Sequence, residues 1–309
     1  MSVLAVALLG LGGFVPNCFA QHARTDATHT EAAQGTAAKE EHEAVPLKPA
    51  PLFSIGSFTV TNSMLVTWIV AIGIIAAAQA ATRKIQTVPR GAQNFWEWMV
   101  ESLYGFLEGV IGAELVKKTF WFFATIFIFI LFLNWFGLIP GVGSIGWGHH
   151  AANGSFVVDR PLLRGANADL NLTFAMACVF FVLWAIWAVQ ANGFGGVIKH
   201  LFGPKGNPSG FMLIPMFVIF FLVGILEVVS ILFRPISLSF RLFGNVYAGE
   251  NMLEAMSNIV PALGWLIPIP FYFMELLVGI VQALVFMLLT AVFVLLIAQH
   301  EPGHGEAHH

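Results

Sequence analysis

The sequence predicts an all-α integral membrane protein: five transmembrane helices, one amphipathic surface helix, and a long tilted hairpin formed by the last two spans. Three observations carry this fold class. Of 309 residues, 58% are hydrophobic and only 10% charged, whereas soluble domains carry about 25% charged residues. The apolar residues come in long unbroken runs, the pattern of membrane helices, and not in the alternating segments of about ten residues that build a barrel. Cations gather in some connections and are sparse in others, as in a chain that crosses a bilayer repeatedly.

Composition narrows the function as well. The 14 Lys and Arg against 17 Asp and Glu give a formal charge of −3, too balanced for an electrostatic nucleic-acid partner. The 30 Phe and nine Trp suit lipid-facing surfaces and interfacial belts. The two cysteines, Cys18 and Cys178, lie far apart and make no disulfide framework. No paired-cysteine metal spacing, phosphate loop or nucleophile–base signature occurs, so neither a cofactor nor an active site of the chain's own is expected. His149, His150 and the C-terminal His304, His308 and His309 are the only residues that suggest weak metal binding.

Taken in order, residues 1–20 read as a secretory signal ending at Ala20, with an uncleaved extra helix as the alternative, since no Lys or Arg precedes Arg24. Residues 21–58 form a polar extracytoplasmic tail, rich in Ala, Glu, His and Thr. The membrane domain is expected over 59–299, with spans at about 63–82, 119–139, 171–191, 211–258 and 262–299. The first ends at Arg83 and Lys84, with Arg90 beyond, which marks the cytoplasmic side. Between the first two spans, about 91–115, Phe95, Trp96, Met99, Val100, Leu103, Phe106, Leu107, Val110 and Ile111 recur at helical spacing. Glu97, Glu101, Glu108 and Glu114 take other faces, as in a helix lying on the inner surface. The Gly-rich connection after the second span, GVGSIGWGHH, runs outside to Asp169. The connection after the third carries Lys199 and Lys205 and is inside. The last two segments exceed the roughly 20 residues of a perpendicular helix, so they tilt or kink, with Pro215, Pro235, Pro268 and Pro270 as kink sites. The 300–309 tail is then cytoplasmic and the mature N-terminus outside. No internal repeat supports an inverted-repeat transporter.

The fourth span contains RPISLSFRLFGNVYAGE at Arg234–Glu250. A charge in a membrane span is rare and costly, so it is a functional hypothesis by default. Ser237, Gly244, Asn245 and Ala248 share the face of Arg241 at helical offsets, a stripe of small or polar residues that lets another helix approach. No carboxylate shares that face within a turn, so the partner of Arg241 is expected on another subunit. Glu227 lies 14 residues earlier, about 21 Å inward along a helix. Glu250 lies nine residues later, about 13.5 Å outward, and Glu254 one turn further. On the fifth span Gln282 is the polar residue near mid-depth, and Glu275 stands two turns outward on the same face. If Arg241 and Gln282 pair in depth, then Asn245, Glu250, Glu254 and Glu275 line an outer path, while Glu227 and Arg234 belong to an inner one. A guanidinium that stays charged at any working pH would separate the two.

These residues carry a resemblance. SLSFRLFGNVYAGE at Ser237–Glu250, EVVSILFRPIS at Glu227–Ser237, VQALVFMLLT at Val281–Thr290, ADLNLTFAMA at Ala168–Ala177 and LNWFGLIPG at Leu133–Gly141 resemble subunit a of the rotary F-type ATP synthase, bacterial type. The likeness runs from about Met64 to Gln299 and excludes the first 50 residues. It implies that Arg241 is the stator arginine facing a ring of c subunits and that Gln282 is its neighbour on the next helix. By the same resemblance Asn245, Glu250 and Glu275 match the outer half-channel, Glu227 the inner side, and Ser237 a polar ring-facing position. Two departures stand out. Some relatives have His where this chain has Glu250 or Glu275, and some bacterial relatives have Asp at the position of Gly137, so Asp169, His149 and His150 become candidates for the outer mouth together with Glu254.

The function expected from this resemblance is an ion-translocating stator subunit, non-catalytic by itself, in the bacterial inner membrane. It would provide two offset half-channels separated by Arg241 and couple proton or sodium flow to ring rotation and ATP synthesis. Its expected partners are the c-ring, the peripheral-stalk b subunits and the rest of the F1Fo complex. The competing reading is a self-contained ion channel or secondary carrier.

Overall fold

The computed structural model describes residues 48–55, 58–150, 156–202, 213–259 and 263–298. The expected signal segment, most of the N-terminal tail and the 300–309 tail lie outside these residues. Among the described residues six α-helices form: α1 (Asn62–Thr82), α2 (Ala92–Ile111), α3 (Ala113–Gly137), α4 (Leu170–Phe202), α5 (Leu213–Ile259) and α6 (Ile269–Ala298). Five of them, all but α2, are long and apolar enough to cross a membrane.

Helix α2 is the amphipathic one. Its buried residues, Met99, Leu103, Leu107 and Ile111, recur every fourth position, while Glu101 and Glu108 are exposed. It stops at Gly112, whose φ of 82° lies in the left-handed region that favours glycine. The chain turns there directly into α3. The second span is therefore helical from Ala113 on, and Lys117 and Lys118 sit in its first turns. A similar break occurs at Gly193 (φ 67°) within α4. Helix α6 begins at Ile269, later than the apolar run suggests. Leu263–Ile269 turns through hydrogen bonds such as Leu266 N to Leu263 O (2.9 Å), and Pro270, without an N–H, is placed in the first helical turn.

The core centres on α3. Of the residues in its most apolar stretch 61% are buried, against 11% in α5, which forms the outer wall. Phe122, Phe123, Ile126, Ile130 and Leu133 of α3, Met176 and Phe180 of α4, and Phe286 and Met287 of α6 are among the most deeply buried side chains. Helix α4 packs chiefly on α5 and α3 chiefly on α6. Hydrogen bonds pin α4 to α6, from Trp184 Nε1 to the carbonyl of Phe293 (3.1 Å) and from Asn192 Nδ2 to that of Ile297 (3.1 Å).

Two small antiparallel hairpins, which the hydropathy pattern does not foretell, decorate the helices. Strands β1 (Pro51–Ile55) and β2 (Phe58–Thr61) lead into α1. Strands β3 (Gly146–His150) and β4 (Phe156–Pro161) occupy the expected Gly-rich connection, with a register irregularity between Trp147 and Gly148. The connection continues through a 3-10 turn, Ala166–Ala168, which is fully buried. Asn62 Nδ2 donates to the carbonyl of Pro161 (3.0 Å), tying the start of α1 to the same end of the bundle. This loop end holds the C-terminal ends of α3 and α5 and the N-terminal ends of α1, α4 and α6. Arg83, Lys84 and Lys117 lie toward the opposite end.

Candidate functional site

Helix α5 has two distinct sides. Leu238, Ser239 and Leu242 are buried, and the Ser239 hydroxyl lies 3.1 Å from that of Thr173 on α4. Ser237, Phe240, Arg241, Asn245 and Ala248 are exposed. The offsets of four, four and three from Ser237 to Arg241, Asn245 and Ala248 keep these small or polar residues on one stripe. Among the described residues that stripe, with Arg241 in it, is exposed, and only Asn245 at its edge reaches toward α6. No Asp or Glu occurs between Glu227 and Glu250, so helix α5 brings no acid within two turns of Arg241.

Beside the stripe, α5 meets α6 through a polar seam. Asn245 Nδ2 donates to Gln282 Oε1 at 2.7 Å, and Gln282 is buried. The depth match between the two helices that the spacing suggests is therefore made one turn beyond Arg241. Two glycines then make room for two acids. A methyl group at Gly249 would fall on the Glu275 carboxylate, and one at Gly165 would fall on Glu250 Oε1. Close backbone approach is what glycine permits and alanine forbids. The backbone N–H of Gly165 donates to the Glu250 carboxylate, which also feels the charges of Glu275 and Glu254. A cavity at this place is lined by Asn134, Gly137, Asn245, Glu250, Glu275 and Gln282 among others. Of the outer path read from the sequence, Asn245, Glu250 and Glu275 converge on it from two helices, joined by Gln282, while Glu254 is not among its lining residues.

Sequence reasoning passed over three buried polar residues near this end of the bundle, Asn134, Asn167 and Arg164, of which Asn134 lines the cavity. Asn134 Nδ2 donates to the carbonyl of Gly279 on α6 (3.1 Å), and its Oδ1 accepts from Asn167 Nδ2 (2.7 Å). Trp135 Nε1 adds a bond to the carbonyl of Leu276 (3.4 Å). The signal was present: Asn134 is the one polar side chain in FIFILFLNWFGL. Replacing Asn134 by alanine strands the buried Asn167 amide, a loss of about 1–3 kcal/mol. Thermal denaturation of the assembled complex is expected to begin several degrees lower in N134A than in the parent.

The loop supplies the remaining polar groups. Asp169 is buried and starts α4, its Oδ1 accepting from Asn171 N (2.9 Å) and Asn171 Nδ2 (3.1 Å) in the manner of an N-cap. Burial pushes its carboxyl above the ordinary range, against the opposing pull of the Asn171 N–H and of Arg164. His149 and His150 fall in β3, and their side chains lie outside the described residues. Gly137 closes the cavity at the end of α3; a methyl group there would stand 3.1 Å from Gly165 Cα, too close for the backbone to stay as it is.

Toward the opposite end of the bundle, Arg234 lies with its guanidinium 4.4 Å from the ring centre of Phe293 and 5.9 Å from that of Trp184. The Glu227 charge, two turns away, acts on it. Stacking on aromatic faces is a way to hold an arginine where few anions are at hand.

A sequence profile described as ATP synthase A chain matches residues 64–295, which include every site residue named above. The chain is similar to proteins named ATP synthase subunit a in three bacteria. In Moorella thermoacetica the identity is 32% over 233 residues, 75% of this chain and 88% of the relative. In Citrifermentans bemidjiense it is 34% over 217 residues, 70% of this chain and 79% of the relative. In Gloeobacter violaceus it is 32% over 218 residues, 71% of this chain and 76% of the relative.

Proposed function

The chain belongs to the ATP synthase subunit a family, and from that premise we propose that Arg241 separates two offset half-channels through which ions reach a ring of c subunits. At the coarser level it is a multi-pass membrane subunit of the F1Fo complex with a proton-translocating stator role. In the finer reading Asn245, Glu250, Glu275 and Gln282 line the outer half-channel. Glu254, Asp169, His149 and His150 form its mouth. Glu227 and Arg234 serve the inner half-channel, and Ser237 faces the ring. The loop end is then outside, with the mature N-terminus, and Arg83, Lys84 and the C-terminal tail face the cytoplasm of a bacterial inner membrane. The b subunits of the peripheral stalk hold the chain against rotation.

The observation that carries this reading is the exposure of Arg241 on a helix face without an acid of its own. An ion arriving by the outer path protonates, or otherwise loads, a carboxylate on the ring. The neutralised carboxylate enters the lipid as the ring turns. A returning carboxylate that meets Arg241 is drawn into its ionised form and releases its ion to the inner path. The guanidinium repels free cations and stays charged throughout, so no ion passes except on the ring. Whether that ion is a proton or sodium is set by the ring's site on another chain. A self-contained carrier would need the arginine to face its own acids, and the stripe's outward aspect weighs against it.

Oxidative cross-linking tests the assignment. With Cys178 replaced, a cysteine in place of Ala248, on the exposed stripe, is expected to form a disulfide with a cysteine on the ring helix in the assembled complex. A cysteine in place of Ile186, exposed on α4, is expected to form none. Equal yields at the two positions would rule out the ring-facing stripe.

A further inference from the structure

Among the described residues Ser239 is the one buried polar side chain of α5, and the half-channel scheme gives it no part. It is 0% exposed, as is Thr173 on α4, and the two hydroxyl oxygens stand 3.1 Å apart. Thr173 sits in the first turn of α4. Its backbone N–H donates to the carbonyl of Asp169 at 3.2 Å, and its hydroxyl reaches the carbonyl of Leu170 at 3.1 Å. The arrangement that uses both hydroxyl protons has Thr173 donating to Leu170 and accepting from Ser239. A side-chain hydrogen bond thus ties α5 to the start of α4, buried between the two helices. Its place along α5 is one turn past Pro235, which lies inside the helix. A proline there removes the bond to the carbonyl four residues back, that of Ile231, and leaves a point where the helix can bend or turn.

We infer that the Ser239–Thr173 bond is a rotational lock on α5, and that these two positioning residues keep Arg241 and its stripe turned to the exposed side. The inference rests on the ring-facing reading of that stripe. Two residues along a helix turn it by about 200°, so the side that ties Ser239 to α4 is opposite the side that carries Arg241. Leu238 and Leu242 are buried beside Ser239, yet apolar side chains choose a rotation only weakly in a membrane, because lipid tails are as apolar as leucine. A hydroxyl chooses strongly. Turned toward lipid, Ser239 gives up its partner on α4, so the pair favours one rotation over the rest. Asn245 adds a second hold, 2.7 Å from Gln282 on α6. Arg241 lies between the two, shortly after one and one turn before the other. The competing role is packing alone, in which the volume of Thr173 matters and its hydroxyl does not.

The test sets T173V, which keeps the branched shape of threonine without its hydroxyl, against T173S, which keeps the hydroxyl and loses a methyl group. In the whole complex, with Cys178 replaced, disulfide formation with a cysteine on the ring helix is measured for A248C and, separately, for F240C. Phe240 is exposed and about 100° around the helix from Arg241. With Thr173 in place the yield at position 248 is expected to exceed that at 240. T173V is expected to lower the ratio of the two yields about three- to tenfold, with ATP-driven proton pumping reduced by a similar factor. T173S is expected to keep both within about twofold of the parent. An unmoved ratio in T173V overturns the inference, as does an equal or larger shift in T173S, which marks a packing role. Should T173V not assemble, T173V/S239A leaves neither hydroxyl stranded, and an unmoved ratio there overturns it equally. If the parent forms no disulfide at position 248, the ring-facing reading itself fails; if it does and the ratio stays put, only the role of Ser239 and Thr173 falls.

Discussion

Arg241→Ala is expected to abolish ATP-driven proton pumping in inverted vesicles while the complex stays assembled. The reason lies in where Arg241 sits. It is exposed on α5, so truncation removes no core packing and opens no cavity within the chain. What it removes is the only fixed cation between Glu227 and Glu250 apart from Arg234, which is engaged with Phe293 and Trp184. Without it, a ring carboxylate passing the stripe meets no charge that favours its ionised form, and ion release has no driving term. A coupling worth several pKa units at a carboxylate in low dielectric is at stake, so a loss of at least about a hundredfold is expected. Arg241→Lys is expected to fall nearly as far, since a shorter point charge neither spans the same gap nor offers the planar fork. Proton pumping followed by a pH-sensitive dye, with subunit stoichiometry measured on the purified complex, decides it. Pumping above a tenth of the parent rate in assembled R241A would sink the mechanism.

The second large effect is expected from Gly249→Ala, a change of one methyl group. Alanine is the better helix former, by up to about 1 kcal/mol, so helix α5 itself is not weakened. The added Cβ, however, falls on the carboxylate of Glu275. That carboxylate is the far end of a flexible side chain and can yield, but it then leaves the place where it lines the cavity with Asn245, Glu250 and Gln282. Displacing a relaying group by about 1 Å can cost up to roughly a hundredfold, and a loss of about tenfold in pumping is expected here, with assembly unchanged. A double-mutant cycle separates this from a general disturbance. If Gly249 acts by seating Glu275, then G249A/E275A loses little more than E275A alone. Strictly additive losses would show that the notch at Gly249 serves something else.

Much of this arrangement was legible in the sequence, and for identifiable reasons. Helices longer than a bilayer leave unbroken hydropathy, so five spans and the amphipathic α2 could be placed from pattern alone. Helical periodicity put Ser237, Arg241, Asn245 and Ala248 on one stripe, and the structure leaves that stripe exposed. Spacing along α6 set Glu275 and Gln282 on one face, and both line the cavity. Where local rules gave out, the reading blurred. The apolar run 262–299 does not reveal that the chain turns before Ile269. The Gly-rich connection gave no strand signal, because Gly146, Gly148 and the paired histidines carry no two-residue alternation, yet β3 pairs with β4.

The remaining gaps share a cause. Asn167 and Arg164 are unremarkable along the chain, two residues of a loop, and Asn134 is marked only as a lone polar side chain in an apolar helix. Their meaning comes from partners elsewhere in the fold: Asn167 reaches Asn134, Asn134 reaches Gly279, and Arg164 bonds the carbonyl of Ala168. The same holds for the glycines, whose bareness at 165 and 249 matters only because a carboxylate from elsewhere occupies the space. The sequence by itself determined the membrane architecture, the family and the arginine stripe, since each is written in periodicity, hydropathy and a local motif that one helix can express. Only the tertiary structure decided which acids meet and which glycines make room for them, because burial and close approach depend on groups brought together across helices.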